Sequence, residues 1–224
     1  MLVLPFTYNK IVVSLTDPFS NKHPQSTAVS QEIAAKLFDC FDQYLPLNAA
    51  EREDLGTRVS ERRIKRRQFI LQEGDICRHY TFVAEGCFKK FQVDHKGTEH
   101  NLQFAAENDW IMEIDSFYNE KPSRVYIEAM EPSVILQINK AHLFTLFTSN
   151  PKFDRNFRVI MENRFVEQEN RILQAISSTA EERYRSFLNQ YAKLAQRLPN
   201  TQISSYLGIT PEFLSKMRRQ LAKR

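Results

Sequence analysis

From Asn200 to Arg219 the chain reads Asn-Thr-Gln-Ile-Ser-Ser-Tyr-Leu-Gly-Ile-Thr-Pro-Glu-Phe-Leu-Ser-Lys-Met-Arg-Arg. This spacing suits contact with a nucleic acid. Ile203 and Leu207 sit four apart and mark one face of a short helix. Gly208 follows, where a tight turn needs φ > 0 at no steric cost. Ile209 plugs the turn, Thr210 can cap the next helix, and Pro211 suits its first position. Leu214, Met217 and Leu221 then return to the core at helical period. Two short helices at a steep angle project the second one, which fits a DNA major groove. Its exposed face carries Thr210, Glu212, Ser215, Lys216 and Arg219. Thr201, Ser204, Ser205, Arg218 and Arg219 are candidates for phosphate contacts, which fix register but not sequence.

Charge points the same way. From residue 183 onward nine Lys/Arg face a single acid, Glu212, a net charge of +8. The whole chain is only +4, so residues 1–182 carry −4. The basic charge gathers on the groove-reading end, as a polyanion partner requires.

Other chemistries fit poorly. The three cysteines, Cys40, Cys77 and Cys87, form no C-x-x-C pair and no zinc spacing, and an iron–sulfur cluster needs four thiolates. They read as reduced, buried thiols of a cytoplasmic protein. His23, His79, His95, His100 and His142 sit in no haem motif. A metal-dependent oxygenase on a small β barrel would want a His-x-His pair, yet His95 and His100 are five apart. No catalytic residue, metal site or cofactor is therefore expected, and the chain is not read as an enzyme. No apolar run approaches a membrane span, and the apolar start is broken by Pro5.

The positioning elements follow. Residues 1–28, with Pro18 and Pro24, read as a loose extension. Ile33, Leu37, Phe38, Phe41 and Leu45 predict a helix over 30–45, stopped by Pro46. Asn48-Ala-Ala-Glu51 predicts a capping box. From residue 59 to 138, short segments with turn signals every eight to twelve residues predict a closed or double-sheet β domain. In Phe88–Val93 both faces alternate between apolar and polar residues, as in a strand covered on both sides. A helix over Lys140–Phe147 precedes a long one opened by Pro151. Within it Phe157, Met161, Phe165, Gln168, Ile172 and Ala175 form a heptad-like seam, expected to pack on its copy in a second subunit. Thr179 caps a further helix from Ala180 to Leu194.

This order of parts resembles the Crp/Fnr superfamily of bacterial transcription regulators over residues 30–224. Phe69-Ile-Leu-Gln-Glu-Gly74-Asp75 and Tyr80-Thr-Phe-Val-Ala-Glu-Gly86 look like two of its glycine turns. Asp109-Trp-Ile-Met-Glu113 through Pro122 to Ala129 looks like its phosphate-binding cassette. The resemblance implies an α+β chain in three parts. Residues 29–150 would be a cyclic-nucleotide-binding-like effector domain, a β-barrel or double-sheet jelly roll. Residues 151–177 would be the dimerisation helix, and 178–224 the helix-turn-helix domain. It implies double-stranded DNA, a second copy of the chain and RNA polymerase as partners, an unidentified small effector, and no membrane. By family position Pro211, Glu212 and Lys216 face base edges; Glu accepts from a cytosine amine and Lys donates to guanine.

The cassette departs from the nucleotide-binding pattern. Cyclic-AMP binders of the family start it with Gly-Glu and carry Arg-Ser near its end; here the pairs are Met112-Glu113 and Ser123-Arg124. Glu113, Ser123 and Arg124 are the candidate effector residues, but a methionine obstructs the sugar phosphate, and an arginine displaced by one faces the other side of a strand. The expected effector is therefore not cyclic AMP. The alternative is a nucleotide-sensing module whose C-terminal helices bind protein.

Overall fold

The computed structural model describes residues 29–221; the 1–28 extension, Lys223 and Arg224 lie outside them. The first helix, α1 (Gln31–Asp42), buries Ile33, Leu37 and Phe41. It ends three residues short of the predicted limit, in a turn before Pro46. The next, α2 (Ala49–Arg58), opens on the predicted box: Asn48 Oδ1 accepts from the Glu51 amide at 3.0 Å, and Glu51 Oε2 accepts from the Asn48 amide at 2.7 Å.

Eight strands follow: β1 (Val59–Ile64), β2 (Phe69–Leu71), β3 (His79–Glu85), β4 (Phe88–Val93), β5 (Glu99–Ala105), β6 (Trp110–Ile111), β7 (Tyr126–Ala129) and β8 (Ser133–Asn139). A short helix, α3 (Ile114–Asn119), sits between β6 and β7 and was not anticipated. The strands form two four-stranded sheets, β1-β8-β3-β6 and β2-β7-β4-β5, rather than a closed barrel. The double-sheet form of the expectation is the one observed. Residues 59–71 divide into two strands because Arg67 turns the chain at φ 63°.

Gly86 is fixed by sterics. Its φ is +91°, and a Cβ there would overlap the Ser133 hydroxyl and lie 2.9 Å from Ser133 Cα. β4 is covered on both faces, as its alternation implied: Phe88 and Phe91 are buried, and so is Lys89. The Lys89 ammonium pairs with Glu128 at 3.1 Å and with Glu99.

Helix α4 (Lys140–Ser149) leads to the long α5 (Pro151–Ser177), whose first turn is capped by Asn150. Then come α6 (Ala180–Gln190), a 3₁₀ turn at Leu194–Gln196, α7 (Asn200–Leu207) and α8 (Pro211–Leu221). Thr179 and Glu182 make a second capping box at the start of α6, which ends four residues earlier than predicted. One core gathers α1, α2, both sheets and the first turns of α5 around Phe41, Phe82 and Phe153. A second gathers Tyr184, Phe187, Leu194, Ile203, Leu214 and Met217 of the C-terminal helices, and Phe104 of β5 reaches into it.

Candidate nucleic-acid interface

The turn between α7 and α8 closes as its residues dictate. Gly208 is left-handed, φ 67° and ψ 38°, and the Ile209 amide donates to the Ser204 carbonyl at 3.1 Å. Thr210 Oγ1 accepts from the Phe213 amide at 3.2 Å, capping α8 just before Pro211. A Cβ at Gly208 would touch nothing, so only backbone strain opposes Gly208→Ala. Thermal unfolding should show that substitution costing about 1 kcal/mol.

The buried side of the pair is Ile203, Ser204, Leu207, Leu214 and Met217. Opposite it, Thr201, Thr210, Glu212, Lys216 and Arg219 are exposed, while Pro211 and Ser215 are half-buried. Glu212 and Lys216 stand one turn apart on α8, and neither is spent on a bond to another described residue. Phe213 joins this face, 49% exposed. Sequence reasoning passed over it because an apolar residue in an amphipathic helix is normally assigned inward; its position between Glu212 and Leu214 was the available signal.

Three of the proposed phosphate contacts are engaged within the chain itself. Ser205 faces the sheet: its hydroxyl donates to the Glu99 carbonyl at 2.6 Å and accepts from the Asn101 amide at 3.0 Å. Arg218 is half-buried, clamps Asn200 Oδ1 and lies 5.8 Å from the Tyr184 ring centre, tying α8 to α7 and α6. Ser204 is buried and bonds its own helix. Part of the basic surplus is likewise spent on structure. Arg197 pairs with Glu107 at 2.9 Å and with Glu131, Arg185 pairs with Glu181, and Arg183 donates to the Ser178 carbonyl.

The helix pair is docked on β5. Asn101 Nδ2 donates to the Gln202 carbonyl at 3.0 Å and to its side-chain oxygen at 2.9 Å. From α5, Arg171 donates to the Tyr206 carbonyl at 3.1 Å, to the Asn101 carbonyl at 2.7 Å and to the Leu102 carbonyl, and lies over the Tyr206 ring at 4.0 Å. One guanidinium therefore joins the long helix, the sheet and the reading unit.

The seam of α5 differs from the expected one. Phe157 is buried against Phe41, Tyr80, Trp110 and Phe147, and the half-buried Met161 receives the Tyr80 hydroxyl at 3.3 Å. Both therefore belong to the chain's own core. The inward row continues with charged and polar residues. Arg164 pairs with Asp109 at 2.7 Å and Glu167 at 2.8 Å, then comes Arg171, then Gln174, which donates to Ser186 at 2.9 Å. Apolar residues occupy the opposite face: Phe165, Val166, Ile172, Leu173 and Ile176 are exposed by 53–80%. Phe165 and Ile172 of the predicted seam lie in this stripe, with the exposed Gln168 and Ala175.

The three cassette candidates are spent separately. The Glu113 carboxylate caps α3, accepting from the Asp115 amide at 3.2 Å and the Ser116 amide at 2.7 Å. Ser123 is buried, donates to the Val125 carbonyl at 2.9 Å and accepts from the Val125 amide. Arg124 is exposed. Among the described residues none of the three bonds to either of the others. The chain's own Lys90 reaches the cassette, its ammonium donating to the Met112 carbonyl at 3.1 Å. Burial pulls its pKa down to about 8, against the pull of Glu113. All three cysteine thiols are buried and pushed up by desolvation. Among the described residues no three His, Cys, Asp or Glu gather to hold a metal, and no helix is long and apolar enough to cross a membrane.

A family model described as a cyclic nucleotide-binding domain matches residues 61–150. The Fumarate and nitrate reduction regulatory protein of Vibrio cholerae is 25% identical over 184 residues, 76% of this chain and 72% of that one. Regulatory protein HlyX of Actinobacillus pleuropneumoniae is 26% identical over 187 residues, 77% of each. Together with the cyclic nucleotide-binding match, these relatives make the chain similar to Crp/Fnr regulators. Its fold agrees: the structure of FixK2 from Bradyrhizobium japonicum superposes with a TM-score of 0.66 over 74% of this chain and 85% of that one, at 18% identity. The family-model match ends at residue 150, just before α5 begins at Pro151, so α5 and the helix pair lie outside it.

Proposed function

We propose that this chain is a Crp/Fnr-type, sequence-specific, DNA-binding transcription regulator that acts as a dimer and answers to an effector other than cyclic AMP. One observation carries the DNA reading above the rest: the exposed face of α8 holds Glu212 and Lys216 unspent, on a turn held by Gly208 and Thr210. Pro211, Glu212, Lys216 and the overlooked Phe213 face base edges. Thr201, Thr210, Ser215 and Arg219 serve the phosphates, with Lys193 exposed nearby in sequence. A paired α5 places two such faces side by side, and two-fold symmetric proteins read two-fold symmetric sites.

Residues 29–150 are the effector unit, 151–177 the dimer helix and 178–224 the reading unit. This is a division of labour rather than of cores, since Phe104 of β5 packs with Phe187, Tyr191 and Tyr206. The poor fit of the cassette to a nucleotide, with Lys90 on the Met112 carbonyl, supports a different effector. RNA polymerase is the expected further partner, and the cytoplasm the expected compartment.

Lys216→Ala tests the reading. On duplexes recovered by selection it should weaken binding by about tenfold to a hundredfold and relax discrimination at one base pair. An equal loss on matched and mismatched duplexes in a mobility-shift titration would assign Lys216 to phosphate instead.

A further inference from the structure

An opening enters the β domain apart from the candidate effector residues of the cassette. It is a cleft of about 1080 Å³ between β1-β8-β3 on one side and β2-β7 on the other, and none of Lys90, Met112, Glu113, Ser123 or Arg124 lines it. Strand register explains its character. Ser60 pairs with Gln137 and Gln137 with Thr81, so three polar side chains cross neighbouring strands on the inner face. Arg62 stands two residues on from Ser60 along the same face.

These groups form a chain of bonds. Gln137 Nε2 donates to Thr81 Oγ1 at 3.0 Å, and Gln137 Oε1 accepts from Arg62 Nη1 at 2.8 Å. Gln137 and Thr81 are only 3% and 2% exposed. The chain ends on the Arg62 guanidinium, which is half-buried and has no carboxylate within 4.0 Å among the described residues. Desolvation lowers its pKa with no neighbouring acid to offset it. A guanidinium has five donors in a planar fork, and one of them is used here. A cation part-withdrawn from water without an acid is costly unless something anionic meets it.

The rest of the cleft sets the kind of anion. Leu71, Ile111 and Ile127 give it aliphatic walls. The other charged residues of the lining, Arg63 and Arg78 against Glu61 and Asp75, sum to zero, which leaves Arg62 as the one surplus charge. One fork, one net positive charge and an aliphatic wall match a single carboxylate on an apolar body, rather than a phosphate dianion.

We propose that this cleft is a binding site for a small aliphatic monocarboxylate, with Arg62 as its anchor, held in position by Gln137 and Thr81. Binding is read on the protein without DNA, so it stands or falls apart from the DNA-reading proposal.

The test titrates the full chain with hexanoate, hexanamide and hexyl phosphate, followed by amide chemical shifts and thermal unfolding. Hexanoate should saturate below about 1 mM, moving resonances of β1, β3 and β8 and raising the unfolding midpoint. Hexanamide should bind at least tenfold more weakly. Arg62→Met should weaken hexanoate at least tenfold while the circular dichroism spectrum is kept. Arg62→Lys, which retains the charge but not the fork, should weaken it at least threefold, and it decides the matter if the methionine variant does not fold. Absence of saturable hexanoate binding, equal binding of hexanamide, tighter binding of hexyl phosphate, or hexanoate binding indifferent to Arg62 would each overturn the assignment.

Discussion

A protein carrying Ile172→Glu and Leu173→Glu should run as a monomer in sedimentation and lose at least about a hundredfold in affinity for a palindromic duplex. Both side chains are about 60% exposed on α5, so the chain has no need of them to fold. Contiguous exposed apolar residues of this kind mark an interface. Two carboxylates on each helix would face two more across a two-fold axis in a dry seam, where like charges repel strongly. Breaking the pair removes the second reading unit, and linked binding of two modules is worth about 10²–10⁴ in affinity. Phe157→Glu provides the contrast: it strikes the chain's own core and should unfold the protein. A glutamate variant that stayed dimeric would place the interface elsewhere.

Lys90→Met should stabilise the protein by about 2 kcal/mol at pH 7. Burial holds the Lys90 pKa near 8 in the folded chain, while the unfolded chain keeps that proton to about pH 10.4. Between those values the unfolded state binds more protons, so stability rises with pH through this window. Below pH 8 the folded chain carries the full cost of a buried ammonium. That cost is about 3 kcal/mol at 1.36 kcal/mol per pKa unit, and orphaning the Met112 carbonyl returns about 1 kcal/mol of it. Urea unfolding at pH 7, 9 and 10.5 checks both parts: parent and variant should converge as pH rises. Parallel pH profiles would mean that the ammonium is well solvated.

Features that depend on neighbours in sequence were legible in it. The left-handed Gly208, the caps at Thr210 and Thr179 and the box at Asn48 are local devices, and each is formed as read. The α5 seam was misplaced because that helix is apolar on two faces in different halves. Phe157 and Met161 continue by spacing into Phe165, but packing turns the helix so that Arg164, Arg171 and Gln174 point inward. Polarity sends such residues to solvent; here Asp109 of the β5–β6 turn receives Arg164, β5 carbonyls receive Arg171, and Ser186 of α6 receives Gln174. The bond of Ser205 to β5 was hidden for a similar reason, since nothing within α7 announces that β5 lies against it. The inward Lys90 and Arg62 are likewise products of strand register and long-range pairing.

Selection of bound fragments from random duplex DNA by the intact chain tests the central claim most directly. A dimer presenting two α8 helices should enrich a palindrome whose half-site centres lie about one helical turn apart, near 10 base pairs, and that preference should fade in the Ile172→Glu, Leu173→Glu protein. Recovery of no common sequence, or of a single asymmetric site bound equally well by the monomeric variant, would contradict it.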